Sequence, residues 1–139
     1  MPYDEEEPWL EHIPSDGIVP GNRYSHVVAG EGRVVAISGQ VALDGRGNVV
    51  GKGDAAAQAR QVFENLKRCL AAGDATFAEV AKLTIYVTDV AFLPEVWRVR
   101  DTYIDPELPP ASTAVQVVAL YRPEFMVQVE ALAITPYGH

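Results

Sequence analysis

Glu130 is the one acidic residue in the last apolar segment, Phe125 to Ile134. Strand alternation puts it on the side away from Val127, Val129, Ala131 and Ala133. A partly desolvated carboxylate there can hold a water and move protons. Ser38-Gly39-Gln40 ends an earlier apolar stretch. Gly39 allows close approach to the backbone, whose N–H groups can hold an anion or a polarised oxygen. Tyr24 offers a ring for stacking and a hydroxyl for bonding. Each has a structural alternative: Glu130 bonded to backbone or to a neighbouring subunit, a glycine bulge at Gly39, and a packed Tyr24. Periodicity alone favours the structural role for Glu130 and leaves Gly39 open. Ser112 has no histidine placed to activate it as a nucleophile. His12, His26 and His139 lie in unrelated segments without metal spacing, so no metal is expected. Nor is a cofactor expected. Gly45, Gly47, Gly51 and Gly53 are spaced for turns and build neither a phosphate loop nor a dinucleotide motif.

The elements that must position these residues follow from pattern. Tyr24 to Ala29 and Arg33 to Val41 are rich in β-formers and flank Gly30-Glu31-Gly32, a hairpin signal. Asp44-Gly45-Arg46-Gly47 predicts a second turn, with a short strand over Asn48 to Gly51. Asp54 is placed to cap a helix over Ala55 to Ala72 that Gly73 stops. Ala59, Val62, Phe63, Leu66, Cys69 and Leu70 form its apolar stripe, so Cys69 reads as core packing. Val80 to Val87 is a strand, and Leu93 to Tyr103 a second helix ended by Asp105-Pro106. Ser112 to Leu120 and Phe125 to Ile134 are the final strands, joined by Tyr121-Arg122-Pro123. The order ββ(β)αβαββ describes an α+β fold, a mixed sheet with two helices on one face. The face carrying Met126, Gln128, Glu130, Leu132 and Ile134 is left uncovered and mostly apolar. It requires another subunit or a ligand.

The 139 residues fit a single domain over 22–139, preceded by an extended acidic arm over 1–21. Trp9, Leu10 and Ile13 are expected to pin the arm, with Asp4, Glu5, Glu6 and Glu7 solvated. A net charge of −8, with eleven scattered Lys and Arg, argues against nucleic acid as the main ligand. No apolar run reaches the roughly 20 residues of a membrane-spanning helix, so no membrane partner is expected. The acidic start and the lone Cys69 suggest a cytoplasmic protein.

Six segments in order resemble the YjgF-like family of imine/enamine deaminases, the RidA-like proteins also labelled L-PSP endoribonucleases. They are Tyr24-Ser25-His26, Ser38-Gly39-Gln40, Ala59 to Leu66, Ile85-Tyr86-Val87-Thr88-Asp89, Pro110-Ala111-Ser112-Thr113 and Val129-Glu130-Ala131. The resemblance implies a chorismate-mutase-like fold and a homotrimer whose three sheets form a central barrel. It also implies small-molecule clefts between subunits, built from Tyr24, Ser38, Gly39, the Ser112 region and Glu130. With the resemblance, Glu130 becomes the candidate catalytic carboxylate.

The chain departs from the family at three cleft positions. The resemblance places Ser112 where the family has an arginine that clamps a substrate carboxylate. It places Ala114 at a cysteine and Trp97 at an asparagine. A serine supplies one neutral hydrogen bond in place of a charged fork, so the usual 2-imino acid substrate is in question. Arg23 and Arg98 are the candidate substitute cations. Trp97, Ser112 and Ala114 otherwise suit a larger, apolar or aromatic ligand. The other readings are a non-catalytic trimer that binds a metabolite or a protein and, last, a ribonuclease.

Overall fold

The computed structural model describes residues 9–137. Its elements are β1 (Glu11–Ile13), β2 (Val27–Ala29), β3 (Arg33–Gln40), α1 (Ala55–Ala72), β4 (Val80–Val87), α2 (Leu93–Arg100), β5 (Ala111–Gln116) and β6 (Val127–Thr135). The main sheet has the order β3-β6-β4-β5. It is mixed, because β6 runs antiparallel to both its neighbours while β4 and β5 are parallel. Helix α1 packs on β6 and β3, and α2 packs on α1. This is the α+β arrangement that the patterning predicts.

Burial along β6 follows its alternation. Val127, Val129, Ala131 and Ala133 are buried with Val62, Phe63 and Leu66 of α1 in one core. Gln128, Glu130 and Ile134 are half-buried on the opposite face, and Leu132 there is 43% exposed. Val34 and Ala36 of β3 pair with Ile134 and Leu132 and extend this apolar patch.

Several expectations need correcting. The hairpin expected across Gly30-Glu31-Gly32 does not form a ladder. β2 pairs with β1, and β3 pairs with β6. Residues 11–13 of the arm take the hydrogen-bonding edge of β2, so the glycine segment carries the chain from a small sheet into the large one. The arm is thus bound into the body. Trp9 Nε1 donates to Ile134 O at 2.8 Å, and Leu10 is buried. Glycine at position 30 makes room for this, since a Cβ there would lie 2.6 Å from Leu10 Cδ2. The acidic run Asp4 to Glu7 lies outside the described residues.

The strand expected over Asn48 to Gly51 is reduced to a single bridge between Leu43 and Val49. Helix α2 ends at Arg100, before Tyr103. Thr102 N bonds Val99 O and Tyr103 N bonds Arg100 O, so the ladder tightens to i→i−3 turns. β5 stops at Gln116, before Leu120, because its partner β4 ends at Val87. The last bond is from Val117 N to Val87 O.

An aromatic group ties the helices together. Tyr103 stacks on Phe63 at 5.5 Å and meets Phe77 at 5.4 Å. Its hydroxyl donates to Glu64 Oε2 at 2.6 Å. Burial, then the bond to Glu64 and its charge, push the Tyr103 hydroxyl from 10.0 up to about 12, with Arg60 opposing. The folded state therefore holds this proton more tightly than the unfolded chain. The resulting stability is complete below pH 10 and is lost as the pH rises towards about 12. Denaturation midpoints measured across that window should fall in the parent. In Tyr103→Phe the fall should be shallower, after a loss of about 1 kcal/mol at neutral pH. Parallel declines in the two proteins would contradict this account.

Candidate functional site

Two groups of residues stand apart in the chain. The first surrounds a cavity of about 720 Å³ beside β5, lined by Tyr24, Trp97, Ser112, Ala114, Arg100 and Asp101, with Arg23 and Arg98 at its wall. Ser112 and Ala114 pair across the ladder with Leu83 and Ile85, which are buried in the core. Both β5 residues therefore face the helix layer, where α2 presents Trp97. Tyr24 reaches the cavity because its segment is tied to the strand that leads into β5. Ser25 N bonds Pro110 O at 3.1 Å, and Ser25 Oγ bonds Pro109 O at 2.6 Å. His12 Nδ1 also donates to Pro109 O at 3.0 Å, so the arm braces the same corner. The chain turns sharply before it. A Cβ on Gly21 would lie 2.2 Å from Tyr24 O, and Arg23 adopts a φ of 64°.

The second group lies across the sheet. Glu130 pairs with Thr84, whose other partner is Thr113, so it projects from the uncovered face. Tyr86 donates its hydroxyl to Glu130 Oε1 at 2.5 Å. The bond to Glu130, then burial, then the charge of Glu130 push the Tyr86 hydroxyl above its ordinary value. Ser38 and Gly39 sit on β3, the edge of the sheet opposite β5. The register of β3 against β6 shifts between Ile37 and Gln40, as a bulge would. A Cβ on Gly39 would lie 2.3 Å from Gln128 Nε2, so the missing side chain at Gly39 makes room for Gln128.

Of the seven residues singled out from sequence, Tyr24, Trp97, Ser112 and Ala114 share the cavity. Ser38, Gly39 and Glu130 stand on other parts of the sheet. The fold of the chain does not bring the two groups together.

The cations divide differently from expectation. Arg23 is 61% exposed and pairs with Asp101 Oδ2, while Arg98 is 67% exposed and pairs with Glu95. Arg100 is the buried one, its side chain 6% exposed, with Nε and Nη2 each 3.1 Å from Asp101 Oδ1. Arg100 is not among the cations expected from the sequence. Its signal was spacing, because Arg100 lies three residues from Trp97 and hence on the same helix face. Tyr86 was passed over in the same way, as part of a motif. Its signal was parity with Thr84 on a central strand.

The family model described as Endoribonuclease L-PSP matches residues 15–135. The chain belongs to this YjgF-like family. It is 38% identical over 104 residues to Protein DfrA of Myxococcus xanthus, covering 75% of this chain and 78% of that one. It is 35% identical to the 3-aminoacrylate deaminase RutC of Acinetobacter baylyi over 100 residues, 72% of this chain and 78% of the relative. It is also 35% identical to the 2-iminobutanoate/2-iminopropanoate deaminase of Mus musculus, over 73% of this chain and 74% of that protein. Among solved structures, the Rid-family protein YyfB of Yersinia pestis, described as of unknown function, superposes with a TM-score of 0.81. The match is at 33% identity and covers 91% of this chain and 99% of that one. Among the described residues, no helix is long and apolar enough to cross a membrane.

Proposed function

We propose that this YjgF-like protein hydrolyses a reactive imine or enamine, with Glu130 as the proton-transferring carboxylate. The observation that carries the reading is Glu130 on the uncovered sheet face, held by Tyr86 at 2.5 Å. Relatives named as imine and aminoacrylate deaminases support the reaction class. An enamine substrate first tautomerises to its imine. Glu130 holds a water and takes its proton as the oxygen attacks the C=N carbon. That proton passes to nitrogen to give a carbinolamine, the hydroxyl proton of the carbinolamine is then relayed to its amine, and the C–N bond breaks to release a carbonyl compound and ammonia. Tyr86 fixes the carboxylate, so that its free oxygen is aimed at the water.

The split between the two sheet faces fits a homotrimer. In that arrangement the Glu130 face of one subunit closes against the cavity edge of the next, and Leu132 and Val34 become buried. Ser38 and Gly39 then contribute from the opposite edge of the sheet. Ser112 in place of the family arginine, with Trp97 and Ala114 beside it, suits a ligand with a bulkier apolar body than a three-carbon imino acid.

Imines generated in situ by an amino-acid oxidase test this. The protein should speed ammonia release from imines of bulky apolar amino acids more than from that of alanine, and light scattering should give a trimer mass. Acceleration of none of them, with ligand binding retained, would instead favour a binding protein without turnover. The family description also names an endoribonuclease. A net charge of −8 disfavours that activity, and cleavage of single-stranded RNA in the same preparation would reverse the choice.

A further inference from the structure

We propose that Arg100 of α2 supplies the charge that position 112 lacks, so that the cavity binds a monocarboxylate carrying an apolar or aromatic body. The inference rests on reading the cavity as the substrate side of the proposed hydrolase. Among the described residues, the lining holds three arginines and a single acid, Asp101. In a chain of net charge −8, that is a local reversal of sign. Arg98 is neutralised by Glu95 and is largely in solvent. Arg23 and Arg100 share the one carboxylate of Asp101 through different oxygens. The three groups together carry one net positive charge, which matches a monoanion better than a dianionic phosphate.

Burial makes Arg100 the member that matters. A guanidinium taken from water is tolerated only when it is paired and bonded. Nε and Nη2 converge on one oxygen of Asp101, so one edge of the fork is held. The remaining donors are available to a planar carboxylate, and a low local dielectric strengthens that contact. The rest of the wall is Tyr24, Pro94, Trp97 and Ala114, which suits a flat apolar body. The small Ser112 leaves open the volume that an arginine at that position would fill.

Phenylpyruvate and its uncharged relative phenylacetone are the probes, with binding read by calorimetry and by quenching of Trp97. The carboxylate should bind about 10- to 100-fold more tightly than the ketone. Arg100→Gln should erase that margin. Asp101→Asn should widen it, because the shared counter-charge is gone, and this variant keeps the test open if Arg100→Gln does not fold. Phenyl phosphate should bind more weakly than phenylpyruvate. Equal binding of the two ketones, absence of binding by both, a margin that survives Arg100→Gln, no gain in Asp101→Asn, or tighter binding of the phosphate would each overturn the proposal. The reaction and the binding site can fail separately. Carboxylate binding without imine hydrolysis refutes only the deaminase reading, whereas hydrolysis with no preference for a carboxylate refutes only the role of Arg100.

Discussion

Glu130→Gln is expected to lower imine hydrolysis by about 10²- to 10⁴-fold while the fold and the carboxylate site persist. The amide has nearly the same shape as the acid. Its carbonyl can still accept from Tyr86, whose hydroxyl lies 2.5 Å from Oε1 in the parent. What disappears is the capacity to take a proton from water. Glu130 is half-buried at the middle of β6, so thermal denaturation should show a midpoint near that of the parent. Phenylpyruvate binding should be retained, because Arg100 still supplies the charge in the helix-side cavity. A second readout comes from Tyr86. The bond to Glu130, then burial, then the Glu130 charge hold its hydroxyl above 10.0. In the variant the tyrosinate absorbance should appear at lower pH, closer to the ordinary value. Turnover within a few-fold of the parent would remove Glu130 from the mechanism and leave it as a sheet-bonding residue.

Most of the α+β fold was legible because its signals are local. The α1 stripe, its Asp54 cap and the two faces of β6 all arise from periodicity and capping within one segment. Asp54 Oδ1 accepts from Ala57 N at 3.1 Å, as the cap requires. Strand partners were less legible. Nothing in Glu11-His12-Ile13 says that this piece of the arm, rather than β3, will pair with β2. The site was half legible for a similar reason. Ser112 and Ala114 share parity on β5, so their common cavity follows from alternation. Whether they meet Glu130 depends on ladder register, because Ser112 aligns with Leu83 while Glu130 aligns with Thr84. That one-residue difference sends them to opposite faces and is invisible in either segment alone. Arg100 was hidden by a general expectation that arginines lie at the surface. Only its contact with Asp101 and its burial distinguish it from Arg98.

Gln58→Leu is expected to destabilise the fold by a few kcal/mol, at about 1–3 kcal/mol for each buried backbone group left unpaired. Gln58 lies on the inner face of α1, a turn before Val62, and is fully buried. Its amide nitrogen donates to Glu124 O at 2.8 Å and to Gly51 O at 3.2 Å. Its carbonyl oxygen accepts from Met126 N at 2.9 Å. One side chain thus joins the turn before α1 to the segment that enters β6. Leucine has similar volume but leaves Glu124 O and Met126 N without the Gln58 partner, while Gly51 O keeps its bond from Asp54 N at 2.8 Å, so gained apolar burial does not compensate. The start of β6 should loosen first, since Glu124 and Met126 lose their anchor. Amide hydrogen exchange should therefore rise at residues 124–128 more than in the centre of α1. Because β6 carries Glu130 four residues beyond Met126, turnover should fall with the loosened strand. The carboxylate margin at Arg100 should be retained at temperatures where the variant is folded. A variant as stable as the parent, with unchanged exchange at 124–128, would show that water or a repacked neighbour satisfies these groups and that Gln58 does not hold β6 in place.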